Sequence, residues 1–163
     1  MRLSYALPNR NKLIIPDNVV ARLLSYRQKK KRHKEAGGFL VGRHLLENNH
    51  LVVDQITEPG WGDRRFRSFF YRSNKHNKLV YNAWTASNKT ETLIGLWHTH
   101  PEPVPNPSGV DWEDWRRALL HGDYVGSCLV FMIVGSQQIR IWQGDRYAQF
   151  RELAESINTD KGL

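Results

Sequence analysis

The sequence predicts a mixed α/β domain, in which helices pack on a central mixed sheet. Three observations carry that expectation. The stretches 92–100 (TLIGLWHTH) and 127–135 (SCLVFMIVG) are apolar along most of their length, as strands covered on both faces are. Segments of helical period alternate with them. The chain has 163 residues, the size of one domain spanning 1–163, and can bury a core without staples.

The elements follow in order. Pro16 stands near a first helical turn, and Val20, Leu23, Leu24 and Arg27 recur at helical spacing, so a helix is expected over about 16–34. Residues 37–59 (GGFLVGRHLLENNHLVVDQITEP) read as two strands around a turn at Asn48 and Asn49. RSFFYR, 67–72, reads as a short strand. Ser73 is placed to cap a helix over about 74–88. The apolar strand at 92–100 belongs in the middle of a sheet. DWEDWRRALLHG, 111–122, puts Trp112, Trp115 and Leu119 on one helical face and ends at Gly122. The strand at 127–135 follows, and 138–152 closes the sheet as a hairpin. The tail at 157–163 is expected to fray. The expected order is α-β-β-β-α-β-α-β-β-β.

Composition narrows the function. With 40% hydrophobic and 25% charged residues, the chain fits a soluble globular class. The longest apolar run, 128–134, is too short for a bilayer, and residues 1–10 do not resemble a secretion signal. A cytoplasmic, reducing location is expected, with no membrane partner. One cysteine, Cys128, allows neither an intrachain disulfide nor a cysteine-rich zinc site. It also excludes a zinc nucleoside deaminase, which needs a Cys-x-x-Cys pair. The net charge of +8 is concentrated at 27–34 (RQKKKRHK) and 64–67 (RRFR). This is either a solvated surface or a docking surface for an acidic partner or nucleic acid. No DNA- or RNA-binding motif accompanies the charge, so nucleic acid is not the expected partner. No feature of the sequence sets an oligomeric state.

The chemistry concentrates in LWHTHPEPVPNPSGVDWEDW, 96–115. Residues two apart on a strand point to one face, so His98 and His100 converge and Thr99 points away. Pro101 ends the strand ladder, and a proline-rich loop leads to a helix at Asp111. Asp111 can then join the two imidazoles, giving three ligands and one open position, the pattern of a catalytic zinc. Ordinary readings exist for each residue. Ser108 and Asp111 fit a capping box, and a histidine is more often a plain polar or core residue. Ser108 serves both readings if its hydroxyl also faces the metal. A zinc hydrolase further needs a base, and Glu35 is the candidate. It is expected at the end of the first helix, before two glycines that permit a tight bend. Its ordinary reading is a surface glutamate.

EAGGFLVG at 35–42 and HTHPEPVPNPSGVD at 98–111 together resemble the JAMM, or MPN-plus, metallopeptidase family. Ten residues separate His100 from Asp111, and Ser108 lies three before Asp111, as in that family. The resemblance implies a cytidine-deaminase-like sandwich holding one zinc on His98, His100 and Asp111. It implies Glu35 as general base and acid, and Ser108 as donor to the oxyanion. Inactive MPN scaffolds, which would bind a partner through a basic surface, typically lose a ligand, and this sequence keeps all three. The family removes ubiquitin or ubiquitin-like modifiers. More narrowly, the chain is similar to the stand-alone bacterial JAMM proteins of CD-NTase (CBASS) antiphage operons. Those cleave the bond formed by the C-terminus of a nucleotidyltransferase. The implied partner is a protein with an extended C-terminal tail, ubiquitin-like or CD-NTase-like, with 61–72 as its groove. Processing of a sulfur-carrier protein is the alternative substrate reading.

Overall fold

The computed structural model describes residues 1–156, so the tail expected at 157–163 lies outside the described residues. Strands β1 (Leu3–Ala6) and β2 (Lys12–Ile15) precede helix α1 (Asp17–Ser25). Strands β3 (Gly37–His44), β4 (Leu51–Ile56), β5 (Arg64–Phe66) and β6 (Phe69–Tyr71) lead to helix α2 (Lys75–Ala86). Strand β7 (Thr92–Thr99), helix α3 (Gly109–His121) and strands β8 (Cys128–Val134), β9 (Ile139–Asp145) and β10 (Phe150–Glu152) follow.

Eight strands form one mixed sheet in the order β1-β2-β4-β3-β7-β8-β9-β10, and β5 and β6 form a separate ribbon. As its apolar sequence requires, β7 is central, antiparallel to β3 and parallel to β8. Alternation along β8 divides the core in two. Val130, Met132 and Val134 join Ile15, Leu23 and Trp97 under α1. Leu129, Phe131 and Ile133 join Trp115, Leu119 and Trp142 under α3. The sheet curls until its outer segments meet. Ala6 N donates to Ala154 O at 2.9 Å, and Ser156 N donates to Ser4 O at 2.7 Å. No helix among the described residues is long and apolar enough to cross a membrane.

Three sequence expectations need correction. Strands β1, β2 and β5 were not foreseen, because three or four residues each are too few to display a period. Helix α1 stops at Ser25, well short of the expected 34. Its buried anchors are Val19, Val20 and Leu23; beyond them come Lys29, Lys30, Lys31 and Arg32, whose like charges would crowd one helix. Glu35 therefore leaves an irregular loop, not a helix end. Finally, Ser73 does not cap α2; Asn74 occupies the cap position without a side-chain bond, and Ser73 N donates to Asp63 Oδ1 at 2.7 Å.

The early stop of α1 is testable. Leu23→Ala, at the last buried turn, is expected to cost about 2–5 kcal/mol in urea unfolding. Lys31→Ala, outside the helix and exposed, is expected to stay within about 0.5 kcal/mol of wild type.

Candidate metal centre and catalytic cleft

The site begins where β7 ends. His98 lies opposite Gly37 of β3 and Ile133 of β8, on the face that packs against Trp115 of α3. His100 N extends the ladder by donating to Val134 O at 3.1 Å. Thr99 points the other way and is fully buried. Its Oγ1 accepts from Ala36 N and donates to Gln28 Oε1, both at 3.0 Å. The strand end thus holds imidazoles on one face and grips the segment carrying Glu35 with the other.

The proline loop is pinned along its length. Ser136 N donates to Glu102 O at 2.9 Å and Gln138 N to Pro103 O at 3.0 Å. The Arg140 guanidinium donates to Pro105 O at 3.0 Å and to Asn106 Oδ1, and Glu152 grips it at 2.7 and 2.8 Å. The loop passes so close to Gly135 that a Cβ there would lie 2.6 Å from Pro105 Cδ and 2.8 Å from two carbonyl oxygens. The loop delivers α3 with a complete capping box. Ser108 Oγ accepts from Asp111 N at 3.1 Å, and Ser108 N donates to Asp111 Oδ2 at 2.7 Å.

Asp111 nevertheless faces both imidazoles. Its Oδ1 is 3.1 Å from His98 Nε2, and its Oδ2 is 3.2 Å from His100 Nε2. The two Nε2 atoms are 3.0 Å apart. The cap and ligand readings are therefore compatible in one carboxylate. Ligand atoms of the three residues lie within 4.8 Å of one another, and His98 and His100 are buried. Two imidazole nitrogens and one carboxylate oxygen suit zinc. The donor set also fits in detail. His100 Nδ1 is 3.0 Å from Glu102 Oε2. An ionised carboxylate only accepts, so Nδ1 carries the hydrogen and Nε2 is left to face the centre.

Glu35 completes the cluster, with Oε1 3.9 Å from His100 Nε2. The surface reading fails, because Glu35 is 5% exposed. Its backbone is clamped by the ribbon: Glu35 N donates to Phe66 O at 2.6 Å, and Arg65 Nε donates to Glu35 O at 2.8 Å. Burial, opposed by His100 and reinforced by Asp111 and Glu102, pushes the carboxyl up to about 8. Burial also makes His98 harder to protonate, against the pull of Asp111. In His100 burial acts the same way, but Asp111, Glu35 and Glu102 outweigh it and raise the pKa. Burial disfavours the Asp111 anion, yet the two imidazoles and Ser108 N hold its carboxyl well below the usual range.

These groups open into a cleft of about 390 Å³, which Ser108 also lines. Phe69, Tyr71 and Arg72, from the region expected to form the groove, supply one wall. Phe69 and Tyr71 are exposed, whereas Phe70 is half-buried edge-on to His76. The ribbon's base is anchored by His76, which lies 2.9 Å from Asp63 and 2.6 Å from Thr57 Oγ1. Sequence reasoning missed Glu102 and Gln28. Glu102 lies two residues after His100, the one signal available for it; Gln28 has none.

The family described as prokaryotic homologs of the JAB domain matches residues 17–145. A protein of Vibrio cholerae serotype O1 named CD-NTase/cGAS isopeptidase is 38% identical over 148 residues, covering 90% of each chain. A protein of the same name from Escherichia coli strain TW11681 is 36% identical over 137 residues, covering 83% of each chain. The solution structure of a protein from Desulfitobacterium hafniense is similar with a TM-score of 0.58 at 14% identity, covering 87% of this chain and 88% of that one. That likeness is one of fold.

Two outcomes follow from the geometry. Glu102→Ala, by freeing the His100 ring, is expected to weaken zinc binding by about 10–100-fold in a chelator competition assay. With a chelator present, burial raises the Glu35 carboxyl of the folded chain to about 8, against an ordinary value of 4.5. The folded state holds the extra proton between those values, so this group's contribution to stability falls as pH rises through that window. Glu35→Gln should therefore gain on wild type in thermal unfolding as pH rises from about 4.5 to about 8, with the difference vanishing at lower pH.

Proposed function

The chain belongs to the family of prokaryotic homologs of the JAB domain, and from that premise we propose that it is a zinc isopeptidase. It releases a CD-NTase from the protein to which the CD-NTase C-terminus has been joined. The observation that carries this reading is the convergence of His98, His100 and Asp111 beside the buried Glu35 carboxyl in one open cleft. The names of the Vibrio cholerae and Escherichia coli relatives support this choice of substrate.

His98, His100 and Asp111 would hold one zinc per chain. Bound there, zinc supplies a water acidic enough to attack near neutral pH and polarises the scissile carbonyl. Glu35, whose carboxyl lies beside the ligand set, would take a proton at its carboxylate and pass it to the departing lysine amine. Ser108 Oγ accepts from Asp111 N, which leaves its own hydrogen to donate to the carbonyl oxygen as charge develops there. The exposed face of β5 and β6 receives the extended tail, with the aromatic rings of Phe69 and Tyr71 as pocket walls. A cytoplasmic location goes with this substrate.

Purified protein should contain about one zinc per chain and should lose cleavage to a chelator and regain it with zinc. Glu35→Gln should keep the metal and the fold while cleavage of a CD-NTase conjugate, followed by gel electrophoresis, falls by at least about 10²-fold. Wild-type cleavage by that variant would remove Glu35 from the mechanism. Release from a sulfur-carrier precursor but not from a CD-NTase conjugate would reassign the substrate.

A further inference from the structure

We infer that the loop 27–34, seated on the β5–β6 ribbon, is a docking ridge for an acidic face on the body of the substrate protein. The inference rests on the isopeptidase reading, since it specifies what must flank the cleaved tail. The loop is not a loose charged run. Gln28 is 3% exposed at its centre, and its Nε2 donates to Arg67 O at 2.7 Å and to His33 O at 3.2 Å. Arg67 Nη1 donates to Lys31 O at 2.8 Å and to Lys30 O at 3.2 Å. Arg27 Nη2 donates to Gln137 O at 3.0 Å. These bonds to backbone groups give the loop a defined shape and leave its lysines facing outward.

Charge then decides what fits. Lys29, Lys30, Lys31, Arg32 and Lys34 are exposed, next to exposed Arg64 and Arg67 of the ribbon. Among the described residues, none of these seven cations lies in a salt bridge. The adjoining cleft is mixed in charge: Asp114 pairs with Arg72 and Glu113 with Arg117, while Glu102 and Asp111 face His100. Ridge and cleft are contiguous, because Lys34 is followed directly by Glu35. An acidic protein body drawn to the ridge presents its tail to the adjoining cleft from one side. A nucleic acid suits this surface less well, since the ridge flanks a cleft read as taking a protein tail and no DNA- or RNA-binding motif accompanies the charge. Gln28 links ridge and centre physically through Thr99, which sits between His98 and His100.

The test is a triple reversal, K30E/K31E/R32E, which alters exposed side chains and leaves the backbone bonds of the loop in place. Kinetics are measured on a CD-NTase conjugate and on a short isopeptide carrying only its tail. The expected result is a rise in KM of about tenfold on the conjugate, with kcat and the short isopeptide unaffected. The wild-type KM should climb between about 50 and about 300 mM salt, and that of the variant should not. An unchanged KM on the conjugate, or equal losses on both substrates, overturns the ridge. If wild type cleaves neither substrate, the isopeptidase reading has failed and the ridge is judged by calorimetric titration with intact CD-NTase. Binding lost in the variant then supports the ridge, and equal or absent binding overturns it. Anisotropy titration with a duplex of about 20 base pairs covers the rival partner. Duplex binding that the variant loses, alongside an unchanged KM, assigns the surface to nucleic acid.

Discussion

The hydroxyl of Thr99 is the constraint on which the active cleft depends. A strand offers two faces, and the last turn of pleat in β7 uses both. On one face stand His98 and His100. On the other, a single buried oxygen accepts from Ala36 and donates to Gln28. A buried hydroxyl with both roles filled is costly to disturb, because either loss strands a polar group away from water. The segment carrying Glu35 is thereby held at a set distance from the imidazoles, although more than sixty residues of chain separate them.

Asp111 shows the same economy at the other end of the proline loop. Its backbone N–H and its carboxylate close the helix cap, and the same carboxylate faces both imidazoles. The helix start, the loop pinned by Arg140 and the pair of histidines are therefore one mechanical unit. Electrostatics separates Asp111 from Glu35, two of the carboxyl groups of the cleft. Without metal, Asp111 is held as an anion by its hydrogen-bond donors, while burial outweighs the imidazole beside Glu35 and raises its carboxyl pKa. One carboxylate suits permanent charge, and the other suits traffic in protons.

How much of this was legible in the sequence depended on the range over which each signal acts. The fold class, the central position of β7, the convergence of His98 and His100, and the capping box of Ser108 with Asp111 all follow from spacing over a few residues. Glu35 was legible as a candidate base from its place before two glycines and again through resemblance, but its expected helical setting was wrong because the charge run beyond Leu24 had no buried face to support another turn. The short strands β1 and β2 carried no period. Gln28, Arg140 and Gly135 were invisible, since each acts on a partner remote in sequence: Thr99, Pro105 and the loop carbonyls. Glu102 lay in plain view but had no pattern to distinguish it from a solvated acid.

The meeting of residues 4–6 with 154–156 has a consequence for how such a chain comes together. The seam can form only after every intervening strand has taken its place, so closing it is among the most non-local steps the fold requires. Until then, the outer strands expose bare backbone of the kind that templates aggregation. The region 17–145 that the family shares lies inside this seam. Among the described residues the flanking segments line none of the cleft, although Glu152 grips the Arg140 that pins the proline loop. They close the sheet around the cleft, and a chain cut back to the shared region would carry the site on a sheet with two open edges.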